Sequence, residues 1–501
     1  MTTTKAPSTS AAQRTSHGTT LVVVCLALAT VVAAVSSLNV ALPDIARGTH
    51  ATQTQLEWVI DAYSLVFATL LLPAGAIGDR FGRRLALIIG LIVFGAGSAI
   101  AMTANSPNEL IALRGVIGLG AALVMPATLS TITGTFPPAQ RTRAVSVWAA
   151  VAGASAVVGL LCSGILLEFW SWRSVFALNV ILAAAAIAGT IFAVPESADE
   201  NAPRLDVIGA IIAIIGMGAL VFSIVEAPDY GWASARTLIG VGAGLLVLAG
   251  FVLWELTRRA PLLDPRIFRH PRLTAGTLSI FVQFFAFFGF VFVILQYLQL
   301  VRGYSAIISA LWMLAISAPM LPTARLAPRL VDRFGTRPVC VTGLVLVSAG
   351  LAILAQLDAH SGGGWLFAGL FVLGAGMGAA MTPATTAITE ALPDAKQGVG
   401  SAVNDLAREL GGAVGIAVIG SVLTATYRNH LSLPGRPAAL VDKARDSFAV
   451  AIHLHIKGLA TQASNAFVDG LHLALLVGAA AALLAAILVA LLLRRTSRPQ
   501  P

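Results

Sequence analysis

Charge is scarce in this chain: Asp, Glu, Lys and Arg make up only 11% of 501 residues, against 57% hydrophobic residues. Soluble domains are about one-quarter charged, so a water-soluble fold is excluded and a bilayer is the expected solvent. Cysteine is nearly absent. Cys25, Cys162 and Cys340 lie far apart, each in or beside an apolar run, which excludes a disulfide framework and a thiolate metal centre. Walker A and HExxH sequences are lacking, which removes ATP-driven pumping within this chain and zinc hydrolysis. Basic residues outnumber acidic ones, for a net charge of +9. They are scattered through loops without an aromatic-interleaved groove, so nucleic acid is not an expected partner. No Ser/His/Asp, paired His or metal set gathers at one predicted depth, so neither an enzyme nor a cofactor is expected.

What is present is long apolar runs, each near the roughly 20 residues that a bilayer-spanning helix requires. They fall at 20–42, 57–77, 86–104, 109–134, 143–166, 172–194, 206–226, 237–256, 273–301, 305–327, 338–357, 364–391, 399–426 and 470–493. An all-α integral membrane protein of fourteen spans follows. Residues 1–19 are Thr/Ser-rich and read as a disordered tail rather than a signal peptide. With the N-terminus inside, the inner segments hold 21 of 32 basic residues and the short outer loops four. Both termini are therefore expected in the cytoplasm.

Two loops on that inner side are nearly the same: "GDRFGRR" at 78–84 and "VDRFGTR" at 331–337. With spans seven and eight set aside as an inserted pair, each joins the second and third helices of a six-helix half. A duplicated bundle is a recurrent plan among secondary transporters. The expected units are an N-terminal tail (1–19), two six-helix bundles (20–194 and 273–493), a linking segment (195–272) and a short tail (494–501). The second bundle includes an outer loop, 427–469, read as an amphipathic surface segment. Its "HLH" at 453–455 puts two histidines on different helix faces with no acid beside them, so no metal site is expected.

The stretch "GAIGDRFGRR" resembles the loop signature of the major facilitator superfamily, matched by Gly75, Asp79, Arg80, Gly82, Arg83 and Arg84, with Asp332 and Arg333 in the second copy. "LNVALPDI", "EWVIDAYSLV", "LRGVIGLGAALVMPATLS", "SWRSVFALNV", "EAPDYGW", "PLLDPRIF", "QYLQLVRGYS" and "NDLARELGGAVGIAVIGSV" look like successive signatures of its fourteen-helix drug:proton antiporters of the QacA/EmrB type. The resemblance implies two rocking halves and a gate loop. It also implies export of amphipathic, cationic or aromatic small molecules, with the proton gradient as the energy source, by a monomer in the cell membrane. Three departures stand out: Ala34 where an Asp is common in span one, Ile117 where Gln is usual, and "SAVVGLLCSG" (155–164) where the antiporter helix carries a Gly-Pro bend. Leu160 in place of that proline removes an expected kink. A dedicated exporter of one metabolite, antibiotic or lipid-like substrate is the other reading.

An acid inside the membrane costs at least about 2.5 kcal/mol, so such acids point to sites. Asp61 is either an acid for cation binding and coupling, as the resemblance implies, or a helix-start acid reaching outer water. Asp405 and Glu409 share a face of span thirteen with Arg408 between them. A structural Asp405–Arg408 pair leaves Glu409 as the titrating acid. Glu390 reads as an acid snorkelling at the inner end of span twelve. Arg114 is either a coupling residue by resemblance or part of a polar network. Asn39, Asp61, Tyr63, Gln283, Phe284, Gln296 and Asn404 are the expected cavity residues. Most phenylalanines of span nine are expected to face lipid, Gly374, Gly376, Gly378, Gly411 and Gly415 to permit close packing, and spans seven and eight to serve as scaffold.

Overall fold

The computed structural model describes residues 11–198, 206–259, 261–392, 397–432, 437–453, 456 and 458–494. Its first half contains α1 (Ala11–Thr49), α2 (Gln53–Phe81), α3 (Arg83–Ala101), α4 (Pro107–Thr135), α5 (Pro138–Phe169) and α6 (Arg173–Ala193). The linking segment forms α7 (Val207–Val225), a single turn α8 (Ala227–Tyr230) and α9 (Ala235–Thr257). The second half contains α10 (Pro271–Gln296), α11 (Ala306–Phe334), α12 (Thr336–Leu354), α13 (Gly363–Thr389), α14 (Gln397–His430), two short helices α15 (Ala438–Asp446) and α16 (Phe448–His453), and α17 (Leu459–Arg494). Fourteen of these are long and apolar enough to cross a membrane, and no strand occurs among the described residues.

Side-chain caps set several helix starts. Thr52 and Gln55 form a reciprocal capping box on α2, and Ser106, Asp206, Ser234 and Ser305 cap α4, α7, α9 and α11. Two boundaries move appreciably. Helix α1 already runs from Ala11, within the stretch expected as a disordered tail, and Thr20 Oγ1 donates to Ala193 O at 2.7 Å near the end of α6. Helix α17 begins at Leu459, eleven residues before the expected span. Residues 437–453, between α14 and α17, are packed against both: Tyr427 donates to Ala444 O at 2.6 Å, and Phe448 stacks on Phe467 with centroids 4.3 Å apart. Of the "HLH" stretch, residues 454 and 455 lie outside the described residues.

Within the first half α4 packs against α2 and α3, and α1 against α5 and α6; in the second, α10 packs against α14 and α17, and α13 against α11 and α12. Helix α7 pairs with α9 and also touches α2 and α14, so the linking pair contacts both halves. For convenience the side of loop 78–84 is called the DRFG face and the opposite side the far face. Direct contacts between the halves cluster towards the far face. A Cβ on Gly164 of α5 would come 2.8 Å from Ile307 Cα of α11. Gln299 Nε2, in the π-helical turn that extends α10, donates to Val40 O of α1 at 2.9 Å.

The phenylalanines of α10 do not form a lipid face. Phe284, Phe285, Phe290 and Phe292 are buried, and Phe281, Phe287 and Phe288 are only partly exposed. Hydropathy is the same for a helix facing lipid and one facing other helices. Contact with α13, α14 and α17 makes α10 a central helix. The expected close packing is present here: a Cβ on Gly415 of α14 would sit 2.2 Å from Phe285 O and 2.7 Å from its Cα. Because backbone cannot swing aside, Gly415→Val should cost at least about 1–3 kcal/mol of overpacking and lower the monodisperse yield and melting temperature in detergent. Gly218→Ala, with nothing within 4 Å of the added Cβ, is the control and should behave as the parent.

Candidate functional site

The first cluster joins α1, α2 and α4. Arg114 is fully buried; its Nε donates to Val59 O at 2.9 Å, and its guanidinium lies 4.3 Å from the Tyr63 ring centroid. Tyr63 donates to Val31 O at 3.4 Å, so one aromatic ring ties α2 to α1 and supports the arginine of α4. Arg114 Nη1 and Nη2 have no hydrogen-bond partner among the described residues. Asp61 is also 0% exposed, and neither carboxylate oxygen has a partner among the described residues. The helix starts at Gln53, which places Asp61 more than two turns inside it. It is therefore not an acid reaching outer water at a helix start.

The second cluster lies on α14 and α10. Arg408 stands 3.7 Å from Asp405, the pairing expected from their spacing, and its guanidinium lies 4.9 Å from the Phe284 ring centroid. Glu409 forms no ion pair among the described residues, although it lies within electrostatic reach of Arg408 on its own helix and of Tyr63 in the other half. Asn404 accepts from Thr385 Oγ1 at 3.1 Å, joining α14 to α13. All three polar residues, Asn404, Asp405 and Glu409, remain partly exposed.

The other expected cavity residues are buried within their own bundles. Asn39 donates to Val35 O at 3.0 Å, Gln283 to Ser279 O at 3.0 Å and Gln296 to Phe292 O at 3.1 Å. Each uses its amide nitrogen on the preceding helical turn and leaves its side-chain oxygen without a protein partner. Such an oxygen is costly in an apolar interior. Glu390 is exposed at the end of α13, in keeping with a snorkelling acid.

One conspicuous acid was not singled out from sequence. Glu57 of α2 is 0% exposed, with Oε1 accepting from Thr424 Oγ1 at 2.7 Å and Oε2 3.3 Å from Ser421 Oγ, both on α14. Ser421 Oγ also lies 2.8 Å from Ile224 O of α7. Nearby, Trp58 Nε1 donates to Glu226 at 2.9 Å, while Arg428 pairs with Asp229 and lies 3.5 Å from Asp446. Burial holds the Asp446 carboxyl above its usual range against the opposing pull of Arg428. The far end of the hairpin formed by spans seven and eight thus meets both halves. The available signal was Glu57 standing four residues before Asp61 on one helix face.

At the DRFG face Asp79 accepts from Arg83 Nε at 2.8 Å. Arg83 N donates to Ser197 O at 2.9 Å and Arg84 Nη2 to Ile191 O at 2.6 Å. Arg84 N also donates to Glu196 Oε1 at 3.1 Å. Gly82 makes the turn at φ +120°, where a Cβ would strike that same carboxylate. Both arginines thus bind the end of α6 and the segment that follows it, within their own half. Arg80 lies over Phe81 and Arg333 over Phe334. Asp332 forms no ion pair among the described residues.

No proline interrupts α5 beyond its first turn, and a Cβ on Gly159 would meet Ala33 O of α1 at 2.7 Å. Ser163 Oγ donates to Ser37 O at 2.7 Å. Among the described residues no group of three metal-ligating side chains occurs. An apolar groove of about 440 Å³ lined by Ile308, Leu311, Trp312, Ala315 and Phe367 contains none of the polar residues above and belongs to the outer surface of α11 and α13.

Comparison with known proteins agrees with this geometry. The family model described as Major Facilitator Superfamily matches residues 24–416. The multidrug resistance protein Stp of Mycobacterium tuberculosis is 32% identical over 461 residues, covering 88% of this chain and 86% of that protein. The tetracenomycin C resistance and export protein of Streptomyces glaucescens is 31% identical over 463 residues, covering 89% and 86%. The methyl viologen resistance protein SmvA of Salmonella typhimurium is 33% identical over 441 residues, covering 87% and 88%. Among solved structures, a bacterial homologue of the human lysosomal transporter Spinster, inward-facing and unoccupied, superimposes with a TM-score of 0.67 at 17% identity, covering 97% of this chain and 99% of that one.

Proposed function

Since the chain belongs to the major facilitator superfamily and is a multi-pass membrane transporter rather than an enzyme, we propose that it exports amphipathic small molecules, cationic or aromatic, in exchange for protons. The carrying observation is Asp61, a fully buried acid whose two oxygens have no protein partner. A group kept at such cost in a bilayer is suited to exchange a proton for a cation. Across the halves Glu409 is another acid with no ion pair among the described residues, and the buried Phe284 ring carries Arg408 of the same cluster over its face. Resistance to tetracenomycin C and to methyl viologen in the names of its relatives supports outward transport of such compounds.

The far face is then the outside of the cell membrane, both termini are cytoplasmic, and the contacts between the halves at the far face support reading this form as closed towards the outside. The DRFG loops are the gate loops of the two halves: Gly75, Asp79, Arg80, Gly82, Arg83 and Arg84 in one, Asp332 and Arg333 in the other. The transporter acts as a monomer and takes its energy from the proton gradient, with no bound cofactor. A dedicated exporter of one metabolite or antibiotic is favoured by α5, which has Leu160 in place of the proline and whose Ser163 tie to α1 stiffens the region where the antiporter helix usually bends.

Accumulation of a fluorescent lipophilic cation in efflux-deficient cells separates the two. Broad antiport predicts lower accumulation with the wild type, reversed by an uncoupler and absent in Asp61→Asn at equal expression. Accumulation equal to that of empty cells would overturn cation export and leave the dedicated exporter, to be sought with neutral and anionic compounds.

A further inference from the structure

Glu57 sits where α2 of the first half, α14 of the second half and α7 of the linking pair meet, and the hydrogens at this junction can be counted. A serine hydroxyl has one hydrogen and can donate once. Ile224 O is only an acceptor, and at 2.8 Å it is the nearer partner of Ser421 Oγ. With that hydrogen committed, Ser421 faces Glu57 Oε2 with a lone pair at 3.3 Å. Two acceptors then confront one another unless Oε2 itself carries a hydrogen. The other oxygen, Oε1, already accepts from Thr424 at 2.7 Å. Gly420 leaves the room for this carboxyl, since a Cβ there would lie 2.8 Å from Glu57 Cδ.

We propose that Glu57 is a proton-carrying clasp of the far-face gate: as a neutral acid it donates from Oε2 to Ser421 and accepts from Thr424 at Oε1. The chain Glu57 to Ser421 to Ile224 O then binds both halves and the linking pair with every hydrogen used. Loss of the proton turns Oε2 into a second acceptor facing Ser421. The serine must then leave Ile224 O to satisfy it, or the two oxygens must part. Either change loosens the far face. The proton passes to water on that side as the gate opens and is regained from there before it closes, so closure of the far face requires a protonated Glu57 although the clasp itself moves no proton across the membrane. This deepens the proton-coupled reading and rests on it.

The charged groups around the clasp are few. On its own helix is Asp61, one turn away. From α14 comes Arg428, which is engaged by Asp229 of α8 and by Asp446 at the end of α15. Glu226, between α7 and α8, is engaged by Trp58. Helix α7 itself presents a carbonyl. No cation forms an ion pair with Glu57 among the described residues, so nothing nearby substitutes for its proton.

The test is a distance across the far face, measured by electron spin resonance between labels at Thr103→Cys and His360→Cys, both exposed far-face positions. Cys25, Cys162 and Cys340 are replaced by serine or alanine, and the full chain is held in lipid nanodiscs from acidic to alkaline pH. With Glu57 present, the long-distance population should grow as pH rises. In Glu57→Gln the amide nitrogen donates to Ser421 in place of the acid. The short distance should then persist at every pH, with the closed-to-open ratio in alkali raised about tenfold or more. Ser421→Ala removes the acceptor and should raise the long-distance population even in acid, which keeps the test valid if the glutamine variant folds poorly.

An unchanged pH response in Glu57→Gln, or a closed far face at all pH values in Ser421→Ala, would overturn the clasp. Uncoupler-sensitive export by the wild type is scored separately. Its absence alongside the expected distance changes would sink the proposed function and leave the clasp, whereas its presence with an unchanged distance response would do the reverse.

Discussion

Arg114→Lys is expected to destabilise the first bundle and abolish most proton-driven export although it keeps the positive charge. The arginine does two things at once: Nε donates to Val59 O at 2.9 Å and the guanidinium plane lies 4.3 Å from the Tyr63 ring centroid. An ammonium is a point donor and cannot reproduce both geometries. A desolvated cation–π contact contributes about 2 kcal/mol, and a hydrogen bond from a charged donor about 1.5–3 kcal/mol. Losing one of them costs about 2 kcal/mol, or a fall of roughly 5 °C in melting temperature for a bundle of this size. Thermal unfolding in detergent measures the first effect and uptake of a lipophilic cation into inverted vesicles the second. Unchanged melting and transport in Arg114→Lys would show that a positive charge alone suffices at this position.

The second large effect separates two acids one turn apart. Asp405 neutralises Arg408 at 3.7 Å, whereas Glu409 has no cation of its own. Asp405→Asn leaves a half-buried guanidinium without its carboxylate and should lower both folded yield and transport, since breaking one side of such a pair is costly. Glu409→Gln leaves no stranded charge. It should fold as the parent yet lose uphill, proton-driven export, while exchange of labelled for unlabelled substrate across equal pH continues. Proteoliposomes with and without an imposed pH gradient distinguish the two. Gradient-driven export retained in Glu409→Gln would remove this acid from the coupling path and leave Asp61 and Glu57 as the buried acids without an ion pair among the described residues.

Parts of this arrangement are legible in local sequence because their causes are local. Fourteen apolar runs predict fourteen membrane helices, since each span must satisfy its own backbone hydrogen bonds inside the bilayer. The pairing of Asp405 with Arg408 follows from helical spacing. Glycines in apolar helices point to close approach, and Gly415 against Phe285 O bears that out. The repeated DRFG loops reveal a duplicated design, but not that Arg83 and Arg84 are held by Ser197, Glu196 and Ile191 of their own half.

Long-range packing decided the rest. The phenylalanines of α10 could not be assigned from hydropathy, because lipid and protein interior are equally apolar partners for a side chain. Glu57 was hidden by a different cause. It stood at the first residue of an apolar run, and only the Thr52 cap, which starts the helix at Gln53, moves it inside. Its partners Ser421 and Thr424 lie 364 and 367 residues along the chain, beyond any helical period. The sequence by itself determined the solvent, the number of spans, the duplication and the acids carried within helices, since each depends on hydropathy or spacing along one segment. Tertiary structure alone decided which acids find partners on other helices, which aromatics are inside and where the halves meet, because these depend on which helix faces are brought together.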